Sequence, residues 1–372
     1  SRESGCRGRE RESDERPERH DALRNIGPGA DVERLLVGDW SRGYWSGNLG
    51  TGYLVADLVR RNGQGQDSLG CLEIEWGSPH VTDTEITLLD GATGTELRAR
   101  GVHVRDYKSS LWSALACVEA PDAVIKLQRD YLDAGSDIIT VNNYAVTPVL
   151  LAREGLGNEL EALTVKAAQC AVAARDSAQR PALVAGSLPP LNTTYDAGLV
   201  GDFDDNVAHY RRMVAALNPY VDLYLCETLS TAEEARAAAV AAQESSKPFM
   251  VSWTIERQGK FLRGGDNFSE AVQALDGLTP DALLVNCASC NAVTAAIRRL
   301  RRVTDLPIGG YASPVLDEPE GGEPEFNISK PIGPNDYAAV AKGWVADGAT
   351  VIGGCCDTNP DFITALRRMA RP

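Results

Sequence analysis

From residue 86 onward the chain alternates short apolar runs with longer stretches in which apolar residues recur every three or four positions. The runs occupy 86–89, 137–141, 182–185, 223–226, 249–253, 282–285, 307–311 and 350–353. Each is short and apolar on both faces, as a strand buried on both sides of a parallel sheet must be. The stretches between them carry helix punctuation. Pro121 opens one, Val124, Leu127 and Tyr131 share a face of it, and Gly135 closes it. Tyr131-Leu132-Asp133-Ala134-Gly135 before the second run is echoed by Trp344-Val345-Ala346-Asp347-Gly348 before the eighth, with a glycine suited to the left-handed turn that ends a helix. Ser230, three residues before Glu233, predicts a capping box ahead of the alanine-rich run to Gln243. Eight strand–helix units predict an α/β fold, a (β/α)8 TIM barrel, in residues 81–372.

The first eighty residues do not fit that rhythm. Residues 1–26 are crowded with Arg, Glu, Asp and Ser and cannot supply a core; residues 31–81 hold a few apolar clusters among glycines, without a period. Residues 1–80 are therefore expected to be a poorly ordered extension with no part in the working domain. The chain carries a formal charge of −15, which opposes a nucleic-acid or anionic-membrane partner. It has no apolar run of the roughly 18 residues that a membrane span needs. Nine cysteines, an odd number in a long chain, argue against a secreted disulfide scaffold and for a cytoplasmic, reducing location. Four histidines, none in a paired spacing, supply poorly a histidine metal site or a Ser-His-Asp triad.

Barrel enzymes hold their chemistry at the C-terminal strand ends. Here those ends carry Asp90, Asn142, Glu227, Cys287 and the pair Cys355 and Cys356. Three thiols on two strand ends can converge on one zinc ion and leave a fourth position open. Gly353 and Gly354 allow close approach of an ion or ligand. Cys290 completes a C-x-x-C with Cys287, so a closed four-cysteine zinc site in a non-catalytic barrel is the competing arrangement; its place at the start of the next helix favours three ligands. Cys117, Cys170 and Cys226 fall within helix or strand patterns and are expected in the core. Three cysteinates give the metal a net negative charge, which keeps a fourth, substrate thiolate electron-rich and suits alkyl transfer to sulfur. Glu227 or Asp90 could anchor the ammonium of an amino-acid thiol, and the loop Gly91-Ala92-Thr93-Gly94-Thr95 its carboxylate; the bland alternative for both acids is helix capping.

Together Leu89-Asp90-Gly91-Ala92-Thr93-Gly94-Thr95-Glu96-Leu97, Leu111-Trp112-Ser113-Ala114, Asp137-Ile138-Ile139-Thr140-Val141-Asn142, Glu227-Thr228, Asn286-Cys287 and Gly353-Gly354-Cys355-Cys356 resemble the homocysteine S-methyltransferases, from about residue 86 to the end. The resemblance implies a zinc-bearing barrel that methylates homocysteine to methionine. It implies zinc on Cys287, Cys355 and Cys356, the amino group on Glu227, and the amino-acid end against Asp90 and its loop, with Gly91, Thr95 and Asn142 nearby. The chain departs from the family pattern at Gly186-Ser187-Leu188-Pro189-Pro190-Leu191, at Ser313 after Tyr311-Ala312, and at Asn143. These positions lie where a methyl donor would enter, so the donor, S-methylmethionine, S-adenosylmethionine or betaine, stays open. No G-x-G-x-x-G opens a helix after a strand, which leaves a Rossmann-type adenosyl site unsupported. Trp112, Tyr144, Trp253 and Tyr311 are candidates for a cage around a donor cation.

Overall fold

The computed structural model describes the backbone of residues 53–61 and 67–75, and residues 86–105, 111–318 and 331–370 in full. Most of the segment expected to be a poorly ordered extension lies outside the described residues. Within it, Tyr53–Arg61 and Asp67–Glu75 pair as an antiparallel hairpin, a regular element that the absence of a clear apolar period did not foretell.

Eight parallel strands follow: β1 (Thr87–Leu88), β2 (Ile138–Thr140), β3 (Leu183–Leu188), β4 (Leu223–Leu229), β5 (Phe249–Thr254), β6 (Ala282–Asn286), β7 (Ile308–Ala312) and β8 (Ala349–Gly354). They form one sheet in the order β1-β8-β7-β6-β5-β4-β3-β2, with helices between successive strands. All eight predicted runs are strands; β3 and β4 run three residues further than expected. Side chains alternate between two cores. Leu223 and Leu225 of β4 meet Met250, Leu284 and Val351 inside the barrel, while Tyr224 and Cys226 face the helices. Both faces are dry, which is why the runs read as continuously apolar.

The ladder stops between β1 and β2, and hydrogen bonds outside it close the seam. Asp137, one residue before β2, donates its N–H to Leu88 O (2.7 Å), and its carboxylate accepts Leu88 N–H (2.9 Å). Asp222 before β4 and Asp281 before β6 accept the N–H groups of Val184 and Phe249 in the same way. At the other end of the seam, Asp90 Oδ2 accepts Thr140 N–H (2.7 Å).

The helices obey their sequence signals, with one shift. Pro121–Ala134 starts on its proline and ends at Gly135, φ +117°. The predicted capping pair moves by one residue: Ala232–Glu244 is capped by Thr231, whose side chain accepts Glu234 N–H, while Glu234 accepts Ser230 N–H. Both Ser230 and Thr231 stand three residues before a glutamate; β4 runs on to Leu229, and the helix begins one residue later than the sequence pattern indicates.

Candidate active site

The C-terminal strand ends surround a cavity of about 830 Å³. Asp90, Gly91, Asn142, Glu227 and all three predicted thiols line it; Thr95 does not.

Cys287 follows β6 with φ +56°, a left-handed conformation unusual for a residue with a side chain. Its N–H bonds to Tyr311 O (3.2 Å), and Cys355 N–H bonds to Ala312 O (3.0 Å), so neighbouring strand ends fix both backbones. The sulfurs of Cys287, Cys355 and Cys356 lie within 4.8 Å of one another, and among the described residues no other His, Cys, Asp or Glu group forms such a cluster. Cys287 Sγ is 2.8 Å from Cys355 Sγ and 3.9 Å from Cys356 Sγ. The Cys355 and Cys356 thiols hydrogen-bond to Cys287, as does Tyr195 Oη at 2.9 Å, and the Cys287 pKa falls well below the ordinary thiol range. Cys355, which spends its proton on Cys287, titrates higher. A tetrahedral zinc with Zn–S bonds of about 2.3 Å needs sulfurs roughly 3.8 Å apart. The Cys287–Cys356 spacing meets that, and Cys355 needs to move by about 1 Å; three soft donors facing a cavity suit zinc.

Cys290 does not join the cluster. It is fully buried at the first turn of Cys290–Leu300, its thiol points to Ser313 O (3.5 Å), and burial pushes its pKa up to about 12. Cys117, Cys170 and Cys226 are buried in the core as expected.

The two glycines before the cysteines serve a different neighbour from the one predicted. A Cβ on Gly353 would stand 2.7 Å from Leu89 Cβ, and one on Gly354 only 2.2 Å from Thr358 Oγ1. They admit the chain's own β1 and the following turn, not an ion.

Glu227 reaches the cavity through a break in β4. The register with β5 shifts between Cys226 and Leu229, and Thr228 adopts φ +62°. Asn286 braces that break: its Oδ1 accepts Thr228 N–H (3.1 Å) and Ser252 Oγ (2.7 Å), and its Nδ2 donates to Thr228 Oγ1 (2.8 Å). The Glu227-Thr228 and Asn286-Cys287 motifs are thus one structural unit. Ser187 Oγ and Tyr311 Oη (3.3 Å) donate to the Glu227 carboxylate. Burial nevertheless raises it to about 7, and the nearby Asp90 and Cys287 add to the rise. Asp90 is likewise raised by burial to about 7, against the bonds from Thr140. Two buried carboxylates facing one cavity, each costly to ionise there, are the kind of groups that a cationic partner would stabilise.

Other predicted residues sit as supports. Asn142 exchanges hydrogen bonds with Ser113 (2.8 and 3.0 Å) and binds the 111–117 turn to the end of β2. Thr95 Oγ1 accepts Asp357 N–H (3.0 Å), beside the cysteine pair. Asn143, where the chain departs from the family pattern, holds Ser187 through N–H and carbonyl (3.3 and 2.9 Å). Trp112 and Tyr144 line the cavity edge to face, 6.4 Å between centroids, and Tyr311 lines it too; Trp253 is fully buried away from it. Sequence reasoning missed Tyr195 and Arg263. Tyr195 has φ +71°, and the Arg263 guanidinium lies 4.8 Å over its ring, both on the cavity wall. Neither carries a local signal: their meeting with Cys287 joins loops far apart in the chain.

A family model described as homocysteine S-methyltransferase matches residues 87–370. The chain is 34% identical over 305 residues to a homocysteine S-methyltransferase of Escherichia coli strain K12, covering 76% of this chain and 94% of that one. It is 29% identical to homocysteine S-methyltransferase 3 of Zea mays, covering 76% and 89%. Among solved structures, the metallated form of the homocysteine methyltransferase MmuM from Escherichia coli superimposes with a TM-score of 0.62 at 32% identity, covering 76% of this chain and 96% of that one.

Proposed function

Since the chain belongs to the homocysteine S-methyltransferase family, and is thereby an enzyme of methyl transfer to homocysteine, we propose that it uses zinc and a small sulfonium donor, S-methylmethionine foremost. The observation that carries this reading is the cluster of three sulfurs lining the cavity that Glu227 and Asp90 also line. Cys287, Cys355 and Cys356 would hold the ion, which when bound keeps the substrate sulfur as a thiolate at neutral pH.

The chain's own groups do the rest. Glu227, steadied by Ser187 and Tyr311, takes the ammonium of homocysteine. Asp90 keeps a lone pair on each oxygen beyond those used by Thr140, and with Gly91 on the cavity wall beside it receives the amino-acid end. That anchoring points the substrate sulfur at the three cysteines, so attack on the donor methyl becomes an oriented event. The thiolate forms a bond to the methyl carbon as the carbon–sulfonium bond breaks; the electron pair stays on the departing thioether, and methionine results. Trp112 and Tyr144 present aromatic surface to the donor's positive sulfur. Free thiols in the site suit a reducing, cytoplasmic compartment. Among the described residues no helix is long and apolar enough to cross a membrane.

The test is methionine formation from homocysteine with S-methylmethionine, S-adenosylmethionine and betaine in turn, before and after chelation. Turnover with a sulfonium donor, lost on chelation and restored by zinc, is expected. A zinc-loaded protein inactive with every donor overturns the assignment.

A further inference from the structure

Thr358 is fully buried and does not line the cavity, yet four hydrogen bonds meet on it. Its hydroxyl and its N–H both donate to Cys355 O, and its own carbonyl accepts Ala92 N–H (2.9 Å) and Tyr131 Oη (2.8 Å). Tyr131 Oη also lies 2.7 Å from Ala92 O. The loop after β1, which carries Asp90 and Gly91, and the turn after β8, which carries Cys355 and Cys356, are therefore clasped through one threonine and one tyrosine. Glycine completes the clasp on both sides: a Cβ on Gly91 would stand 2.6 Å from Thr358 O, and one on Gly354 2.2 Å from Thr358 Oγ1.

We infer that Thr358 and Tyr131 are positioning residues for methyl transfer: they set the separation between the loop that receives the substrate's amino-acid end and the sulfurs that receive its thiol. The inference rests on the function proposed above, which places the two ends of homocysteine on these two loops. The span from sulfur to α-carbon has a covalent upper limit, reached in the extended rotamer, so a slip of about 1 Å between the loops costs the substrate its preferred rotamer or leaves one end misplaced. The Tyr131 hydroxyl bridges the two loops directly, while the Thr358 hydroxyl acts within its own turn, tying Cys355 O to the residue whose main-chain carbonyl receives the loop after β1.

The test uses the full chain with Thr358→Val, Thr358→Ser, Tyr131→Phe and the double variant Tyr131→Phe/Thr358→Val. Thermal midpoint, zinc release to a chelator without substrates, and KM and kcat for homocysteine at saturating S-methylmethionine are measured. Thr358→Val is expected to raise KM and speed zinc release, each by about tenfold. Thr358→Ser, which keeps the hydroxyl, restores both. Tyr131→Phe raises KM similarly, and the double variant is no worse than the worse single one, because both act through one clasp. A Thr358→Val protein with a lower thermal midpoint but unchanged KM and zinc release overturns the inference, as does multiplication of the two effects. Should Thr358→Val not fold, an unchanged KM in Tyr131→Phe overturns it alone. Zinc release is read without donor or homocysteine, so a failed methyl-transfer assignment leaves that readout standing; in a chain without zinc, the alkylation rate of Cys355 by iodoacetamide replaces it.

Discussion

Cys287 shows at the scale of one residue how the site departs from ordinary thiol chemistry. Three hydrogen-bond donors converge on a sulfur held by a left-handed backbone, and that sulfur becomes the acidic member of the set. Serine at Cys287, Cys355 or Cys356 is expected to abolish tight zinc binding and lower methionine formation by about a hundredfold or more, as metal analysis and turnover would report. Cys290→Ser should retain both zinc and turnover, since its thiol faces Ser313 O. Glu227 gives a pH-dependent prediction. Its pKa in the folded chain, about 7, stands above the ordinary 4.5, so burial penalises the charged form. Its contribution makes the metal-free protein lose stability as pH rises from about 4.5 through 7. Glu227→Gln removes that loss, a gain of at most about 3 kcal/mol at pH 8 and none at pH 4, read from denaturation at both pH values. The same variant should raise KM for homocysteine tenfold or more, since a charged hydrogen bond is worth about 1.5–3 kcal/mol.

Among the elements, β1 is the weak one. It contributes only two residues to the ladder, and the seam beside it relies on the carboxylates of Asp137 and Asp90. Asp137 also pairs with Arg180 and Arg367, and although burial opposes it, the Leu88 N–H and these two arginines hold its pKa below the usual carboxylate range. Asp137→Ala should cost roughly 2 kcal/mol of stability and leave KM for homocysteine unchanged, since it acts at the end of the barrel away from the cavity; denaturant unfolding alongside kinetics checks both. The wild-type contribution is full above about pH 4 and fades as pH falls through the depressed pKa. Elements were legible from the chain because strands buried on both faces and helices buried on one leave different apolar periods. Boundaries were less so: Ser230 and Thr231 offer equal capping spacings, and only the length of β4 separates them.

For the whole molecule, the family match begins at residue 87 and the relatives align over 76% of the chain. A chain starting at residue 81 is therefore expected to keep the thermal midpoint and turnover of the full chain; a drop in either would assign the preceding residues a part in the working protein. The barrel's contribution is convergence: Glu227 sits on β4, and Asp90, Cys287 and Cys355 just after β1, β6 and β8, far apart in the chain and together at one cavity.

The chain by itself determined the repeat of eight strands and helices, the three thiols and the two acidic residues, because periodicity, glycine punctuation and ligand chemistry are local properties of a sequence. Only the tertiary structure decided that Cys290 turns away, that Thr95 and Asn142 brace loops, that Gly354 makes room for Thr358, and that Tyr195 and Arg263 join the cavity. Each of those outcomes depends on which atoms meet across the barrel mouth, and such meetings are set by packing between distant segments, on which local spacing has no hold.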